Sequence, residues 1–297
     1  MTVGNITVTT AANFIPELWS PECRIATEAN LVMAKLVNRA FEGEIKQYGD
    51  TVHVTDISDL TAQDKTANTD VSFETITEGK FDLVINQHKY VAFKVEDIVK
   101  AQSIVDLRSK YTEKAGYALA KVVDTSLLSL YAGLSQSVGS AGVDITDVSL
   151  RRAIQYLDDA NAPAGDRSLV IKPAQMNALL GIDKFVRADA VGYLASMSPM
   201  VTGVLAKGSF NPTEVKGYFG QIYGVSVYVS TNVVTSGSSP IATHNILFHK
   251  DAFTLAMQAD IRTQAAYNIR SLAMEVVADC LYGVGEFRDA FAVEILT

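Results

Sequence analysis

The sequence of 297 residues holds only two cysteines, Cys23 and Cys280, far apart and without neighbours at metal or redox spacing. A disulfide framework is therefore not expected. Positive charge is short: 25 Lys and Arg face 33 Asp and Glu, for a net charge of −8, and no basic run exceeds Arg151-Arg152. Holding phosphates takes clustered cations, so a nucleic-acid reader is excluded as the leading class. No apolar run approaches the roughly 18 residues of a membrane span. The N-terminus has no basic segment followed by an apolar one, as a signal peptide would. A soluble protein of a reducing compartment, with no membrane partner, is the expectation.

Chemistry-bearing patterns are equally thin. The histidines are His53, His88, His244 and His249. The last two are five apart, which does not bring two rings onto one helical or strand face, so structural or exposed roles are expected. Gly-x-Ser-x-Gly, Walker and Gly-x-Gly-x-x-Gly patterns are missing. Gly217, Gly220 and Gly224 fall inside a strand pattern, where they cannot cradle a phosphate. Asp158-Asp159 sits at a helix end and reads as solvated. Asp59, Asp64, Asp70, Glu74 and Glu78 lack the dense ligand spacing of a calcium loop. No catalytic residue, metal or cofactor is expected.

What is present is a globular composition, 48% hydrophobic and 20% charged, long enough for one large domain or two smaller ones. Its organising stretch is Ser103–Tyr131, with about 29 residues and no proline. Ile104, Leu107, Tyr111, Ala115, Ala118, Val122 and Leu130 form one row at helical spacing; Leu119, Val123, Leu127 and Tyr131 form another. Ser103 can cap this helix, which would run roughly 43 Å at about 1.5 Å per residue.

Before it, residues 1–19 carry one charge, Glu17, and read as an arm that is ordered only against a surface. Trp19, the only tryptophan, would staple that arm. Ser20-Pro21-Glu22 opens a helix whose buried face is Ile25, Ala29, Val32 and Leu36. Val52 and Val54 then alternate as a strand, as do Phe81, Leu83 and Ile85, followed by Tyr90–Val95. The polar residues 58–79 between them are too long for a hairpin turn, and a two-stranded ribbon completed on a neighbouring copy is expected.

After the helix, Ser135–Gly142 is a small-residue linker and the best domain boundary. An α/β region follows. A helix carries Leu150, Ile154 and Leu157; Arg167–Lys172 makes a buried strand; Pro173 starts a helix with Met176, Leu179 and Leu180. Residues 181–216 look irregular. Gly217–Ser230 reads as a hairpin turning at Gly224, Ser236 to Pro240 as a polar tip, and Asn245–Phe248 as a strand. Ala273–Tyr282 and Ala290–Leu296 are expected to pair across Gly283–Asp289 and to cover the long helix.

The order of these elements, and several phrases, resemble the major capsid proteins of tailed bacteriophages with the Hong Kong 97-like fold. The phrases are Phe14–Glu22, Asn30–Asn38, Gly49–Val54, Asp106–Arg108 through Ala115–Ala120, Arg167–Pro173, Tyr223–Asn232 and the closing strands. The resemblance covers nearly the whole chain. It implies an α+β fold divided as N-terminal arm and first helix (1–48), extended β-ribbon loop (49–95), peripheral domain with a long spine helix and closing strands (96–135 and 249–297), and axial α/β domain (136–248). It implies a coat protein, not an enzyme. Copies would form the hexamers and pentamers of an icosahedral head that encloses double-stranded DNA without reading it, in a virion assembled in the host bacterial cytoplasm. Because the signature is reached by residue 14, a separate scaffolding protein, or else a chain already processed, is expected; Met1 favours the former, and a portal and decoration proteins are further partners. Trp19, Asp64, Lys65, Glu74, Glu78 and Lys80 are the candidate assembly residues. An encapsulin-type nanocompartment shell is the alternative in the same fold, and an oligomeric α/β enzyme the alternative outside it.

Overall fold

The computed structural model describes residues 32–45, 50–57, 62–65, 67, 68, 70, 71, 73, 78–97, 107–182 and 217–297. The expected arm, Trp19, the start of the first helix, Ser103 and Ile104, and the stretch 183–216 lie outside them.

Two short helical turns open the described chain, α1 (Met33–Leu36) and α2 (Glu42–Ile45). Strands β1 (Thr51–Ile57) and β2 (Glu78–Val84) pair antiparallel over seven residues, from Thr51 opposite Val84 to Ile57 opposite Glu78. Strand β3 (Gln87–Glu96) follows, and then the long helix α3 (Leu107–Leu128), which continues as a 3-10 turn over Ser129–Gly133. The remaining elements are β4 (Ser137–Gly139), α4 (Asp147–Asp159), β5 (Arg167–Ile171), α5 (Pro173–Leu180), β6 (Tyr218–Ile222), β7 (Val225–Val229), β8 (Thr235–Ser236), β9 (Ala242–His249), β10 (Phe253–Asn268), β11 (Ala273–Glu286) and β12 (Ala292–Leu296).

Three sheets result. The ribbon β1-β2 is one, β10-β11-β3 another, and the third is ordered β4-β12-β9-β5-β7-β6 with β8 on β9. The fold is mixed α and β, as expected. Two assignments differ from the sequence reading. Strand β3 does not prolong the ribbon, but pairs along β11 from Glu96 opposite Ala273 to Gln87 opposite Tyr282. And β12 does not pair with β11: it runs antiparallel to β9 and parallel to β4. Both Ala273–Tyr282 and Ala290–Leu296 have strand length and apolar content, so their partners were set by packing that neither segment encodes alone.

Helix α3 lies on one face of β10-β11-β3. Leu119, Val123, Leu127 and Leu128 share a buried cluster with Ala278, Cys280 and Tyr282, and each such aliphatic side chain contributes about 1.5–3 kcal/mol by leaving water. The second helical row of the sequence reading is thus the core face. Of the first row's described side chains, Ala115 is buried, while Tyr111 and Val122 are exposed. Ser126 Oγ and the Tyr282 hydroxyl, 2.9 Å apart, close the polar gap between helix and sheet.

Helices α4 and α5 pack on the seven-stranded sheet around Leu150, Leu157, Leu169, Ile171, Leu179 and Val227. Thr146 caps α4 by accepting from the Ser149 backbone N–H at 3.2 Å. Asp158 is not merely solvated: its carboxylate meets the buried Arg167 guanidinium at 2.7 Å, and Arg167 also donates to the Ala162 and Pro163 carbonyls. The hairpin β6-β7 turns at Tyr223 and Gly224, whose φ of 52° and 80° are the pair a two-residue primed turn requires. The Tyr223 hydroxyl donates to Asp147 at 2.6 Å; burial, and then that carboxylate, push its pKa up to about 12.

One buried carboxylate ties the two bodies together. Asp124 on α3 accepts from the Met33 N–H at 2.9 Å, from Asn232 Nδ2 at 2.7 Å and from the Ser230 hydroxyl at 3.5 Å. Burial raises its pKa against those hydrogen bonds.

Candidate functional site

Among the described residues no group of three or more His, Cys, Asp and Glu side chains could hold a metal, and no helix is long and apolar enough to cross a membrane. The candidate site is therefore sought in what the chain leaves uncovered.

The ribbon is where covering stops part-way. The face of β10-β11-β3 opposite α3 receives its inner half. Val52, Leu83 and Ile85 bury with Ala256, and Phe41, Val54, Phe81 and Leu281 pack around them. The side chains alternate, so Val52 and Val54 on β1 and Phe81 and Leu83 on β2 fall on that one face. Two glycines of β11 permit the approach. A Cβ at Gly283 would stand 2.6 Å from the Val84 carbonyl oxygen, and one at Gly285 would stand 2.7 Å from the Phe81 ring. Phe287 finishes the seat, edge-on to Phe41 at 5.9 Å and to Phe81 at 5.4 Å.

The ribbon's other face is polar. His53 Nδ1 lies 2.5 Å from Asp82, and Lys80 lies 3.0 Å from the same carboxylate. The hydrogen bonds from His53 and then Lys80 lower the Asp82 pKa. Beyond the seat the ribbon runs into residues 58–77, and their described part is bare. Phe73 is 94% exposed and Val71 62%, with Asp64, Lys65 and Asp70 exposed beside them in sequence. An exposed apolar pair of this kind is a candidate contact surface.

Further exposed apolar residues lie elsewhere. Ile269 and Leu272 are 72% and 61% exposed in the turn joining β10 to β11, beside Tyr267, whose hydroxyl donates to Asp97 at 2.7 Å. Val143, Val148 and Ile241 are exposed on the seven-stranded body. On β3, Tyr90 is 70% exposed, on the sheet face that carries the fork of Arg262 on Asp279 at 2.8–3.0 Å and His88 on the same carboxylate at 3.1 Å. The Arg262 hydrogen bonds hold the Asp279 pKa below its usual value, although burial opposes them.

Of the six residues singled out from sequence, Asp64, Lys65 and Lys80 are described and exposed. Lys80 is engaged with Asp82 on the ribbon's polar face. Glu78 heads β2, with its side chain outside the described residues, and Trp19 and Glu74 lie outside them altogether. The structure places Lys80 and Glu78 on one ribbon strand. Phe73, Ile269 and Leu272 were not singled out. Their signal was there to find: each is a large apolar residue set among polar ones, outside the long periodic stretches.

No protein-family model matches the chain, and no curated protein matches it. Solved structures do. One from Mycobacterium phage Che8 is 26% identical, with a TM-score of 0.69 over 89% of this chain and 90% of that one. The capsid of Ralstonia phage GP4 is 13% identical, with a TM-score of 0.64 over 91% and 90%. A virus-like particle from Pyrococcus furiosus is 12% identical, with a TM-score of 0.59 over 95% and 99%. Nearly the whole chain is matched each time, and phage structures predominate. The chain has the fold of a phage major capsid protein.

Proposed function

We propose that a chain with this fold, and with bare apolar residues at the ends of its projections, is the shell subunit of a tailed-phage head. Copies of it form hexamers and pentamers, these close into an icosahedral shell, and the shell encloses double-stranded DNA as part of the virion. The observation that carries this is the exposure of Phe73 and Val71 beyond a ribbon whose inner half is fully seated. A projection anchored so firmly at its base and left so apolar beyond it is suited to a neighbouring copy, and repeated head-to-tail contacts of one kind close into rings.

The Hong Kong 97-like parts fit this reading in outline. Residues 1–48 serve as arm and first helix, the ribbon as extended loop, α3 as spine of the peripheral domain, and the seven-stranded body as axial domain. The sheet hydrogen bonds favour moving β3 into the peripheral part and β12 into the axial one. Scaffolding, portal and decoration proteins are the partners such a shell takes, with assembly in the host bacterial cytoplasm. An acidic subunit suits the role, since strong attraction for phosphate would hinder packing and release of the DNA.

Negative-stain microscopy of the protein expressed with its neighbouring genes is the test. Phage-sized heads filled with DNA are expected. Small shells loaded with protein would support the encapsulin-type reading, which the likeness to the Pyrococcus particle keeps in view. A compact particle of a few subunits would favour the oligomeric enzyme and overturn the shell.

A further inference from the structure

One cluster of polar side chains has a pattern that neither packing nor shell formation calls for. Strand β8 lies antiparallel to β9, with Ser236 opposite Ala242, and β12 lies on the other side of β9, with Leu296 opposite His244. Side chains two apart in a strand share a face, so Ser236, His244 and Glu294 all emerge on the same one. The result is a chain of hydrogen bonds. Ser236 Oγ is 2.7 Å from His244 Nε2, and His244 Nδ1 is hydrogen-bonded to Glu294 Oε1.

The ring is held from a further side as well. Tyr131, from the 3-10 turn after α3, stacks on it with centroids 3.9 Å apart and planes 15° from parallel. His244 and Glu294 are largely shielded from water, whereas Ser236 and the residues through Pro240 are exposed. Glu294, as a carboxylate, can only accept, so Nδ1 carries a proton. In the neutral ring Nε2 is then left to accept from the serine hydroxyl. This is the order of groups that activates a serine: nucleophile, base, and an acid that fixes the base's tautomer.

We propose that Ser236 is an activated nucleophile that takes acyl or phosphonyl groups from small activated electrophiles, with His244 as general base and Glu294 as its positioning residue. With an aryl ester, the Ser236 Oγ–acyl bond forms as the bond to the aryl oxygen breaks. The serine proton passes to His244 Nε2 and from there to the departing aryl oxygen. Water then enters by the same route: its oxygen bonds the acyl carbon as its proton passes to His244, the Ser236 Oγ–acyl bond breaks, and His244 returns that proton to Oγ, which frees the acid and the serine. The inference does not rest on the shell reading, because it concerns the seven-stranded body and not its contacts.

The test treats the full chain with a fluorophosphonate probe, where the P–F bond breaks, fluoride leaves and the proton departs through His244. Adducts are mapped by peptide mass spectrometry. Ser238 and Ser239, exposed in the same tip, are internal controls, so the readout is a ratio within one molecule that a general loss of stability does not move. Ser236 is expected to react at least about 100-fold faster than either, the lower end of what a positioned general base contributes. His244→Gln should erase that preference and Glu294→Gln reduce it, while Ser236→Ala removes the adduct with the circular dichroism spectrum unchanged. Equal modification of the three serines, or none, would overturn the proposal and leave the cluster as a staple of β8 to β9.

Discussion

The two faces of the β10-β11-β3 sheet are covered in different ways, and the difference separates what the subunit needs to fold from what it offers to others. On one face α3 sets large aliphatic side chains, Leu119, Val123 and Leu127, against Ala278, Cys280 and Tyr282. Among the described side chains that seal is made within the chain itself. On the other face the cover is a pair of strands laid close against the sheet. Gly283 and Gly285 remove side chains from β11 so that the ribbon can lie directly on it, and the cover ends where the ribbon's seat ends. Past that point the same face carries Tyr90 beside the Arg262–Asp279–His88 cluster, and the chain beyond the ribbon exposes Phe73. The helix face is finished within one chain; the ribbon face is finished only in part.

The strongest way to break this contrast is on the helix face. Leu119 is 1% exposed in the middle of α3. Leu119→Asp would bury a carboxylate with no partner, at a cost of about 4 kcal/mol or more. Insoluble protein, or a urea midpoint collapsed towards zero, is expected. A stable, soluble variant would mean that the helix seal is not what holds the body together.

On the ribbon face the expected loss is smaller. Gly283→Val places a side chain where the Val84 carbonyl stands 2.6 Å away, and backbone cannot step aside as a long side chain can. Overpacking of this kind costs about 1–3 kcal/mol. Urea denaturation measures it, and loss of hydrogen-exchange protection confined to β1 and β2 would place the damage at the seat. Unchanged stability would mean that the ribbon rests on the body without being packed there.

Where the two bodies meet, at the end of β11, the contrast acquires a pH dependence. Glu286 is pushed up to about 7, by burial first and then by the neighbouring Asp289, and it crowds Gly133 in the turn after α3. Burial would also raise Asp289, but hydrogen bonds from Ser135, including its N–H at 2.8 Å, win and lower it. A carboxyl raised above its unfolded value of 4.5 leaves the folded state holding more protons than the unfolded one. Stability from this group is therefore full below pH 4.5 and is lost as the pH rises to about 7. Thermal unfolding followed across that window should show the decline, and Glu286→Gln should flatten it. A variant with the parent's slope would assign the decline to other groups.

How far the sequence foretold these features follows from the range over which each is decided. Helix α3, the hairpin at Tyr223-Gly224 and the buried strand β5 were legible because spacing and turn chemistry are local. Which helical row faces inward was not, since Tyr111 and Val122 keep the same spacing as Leu119 and Val123, and only the sheet beneath chooses. Gly283 and Gly285 read as part of a turn after Tyr282, yet they sit inside β11, because what they accommodate is a strand some two hundred residues earlier. Ser236 and Glu294 are 58 positions apart and meet at His244 only through the registers of β8 and β12 on β9. The assembly residues taken from sequence were mainly charged, whereas the exposed signal is apolar, at Phe73, Ile269 and Leu272.

The smallest effect on the subunit is expected where the contrast is sharpest. Phe73 is almost wholly exposed, so Phe73→Ser should change the subunit's unfolding free energy by no more than about 0.5 kcal/mol. Removing residues 58–77 and joining β1 to β2 by a short turn should likewise leave a soluble, folded subunit, because the seat at Val52, Phe81 and Leu83 is untouched. Both changes should nevertheless reduce or abolish closed shells under the microscope, the deletion more completely. The two readouts separate the possibilities. Lost shells with an intact subunit put Phe73 against a neighbour. A subunit destabilised along with its shells would mean that the tip folds back on its own body. Normal shells from the deletion would remove the bridging role altogether, and the uncovered remainder of the ribbon face would then have to be closed by another part of the chain.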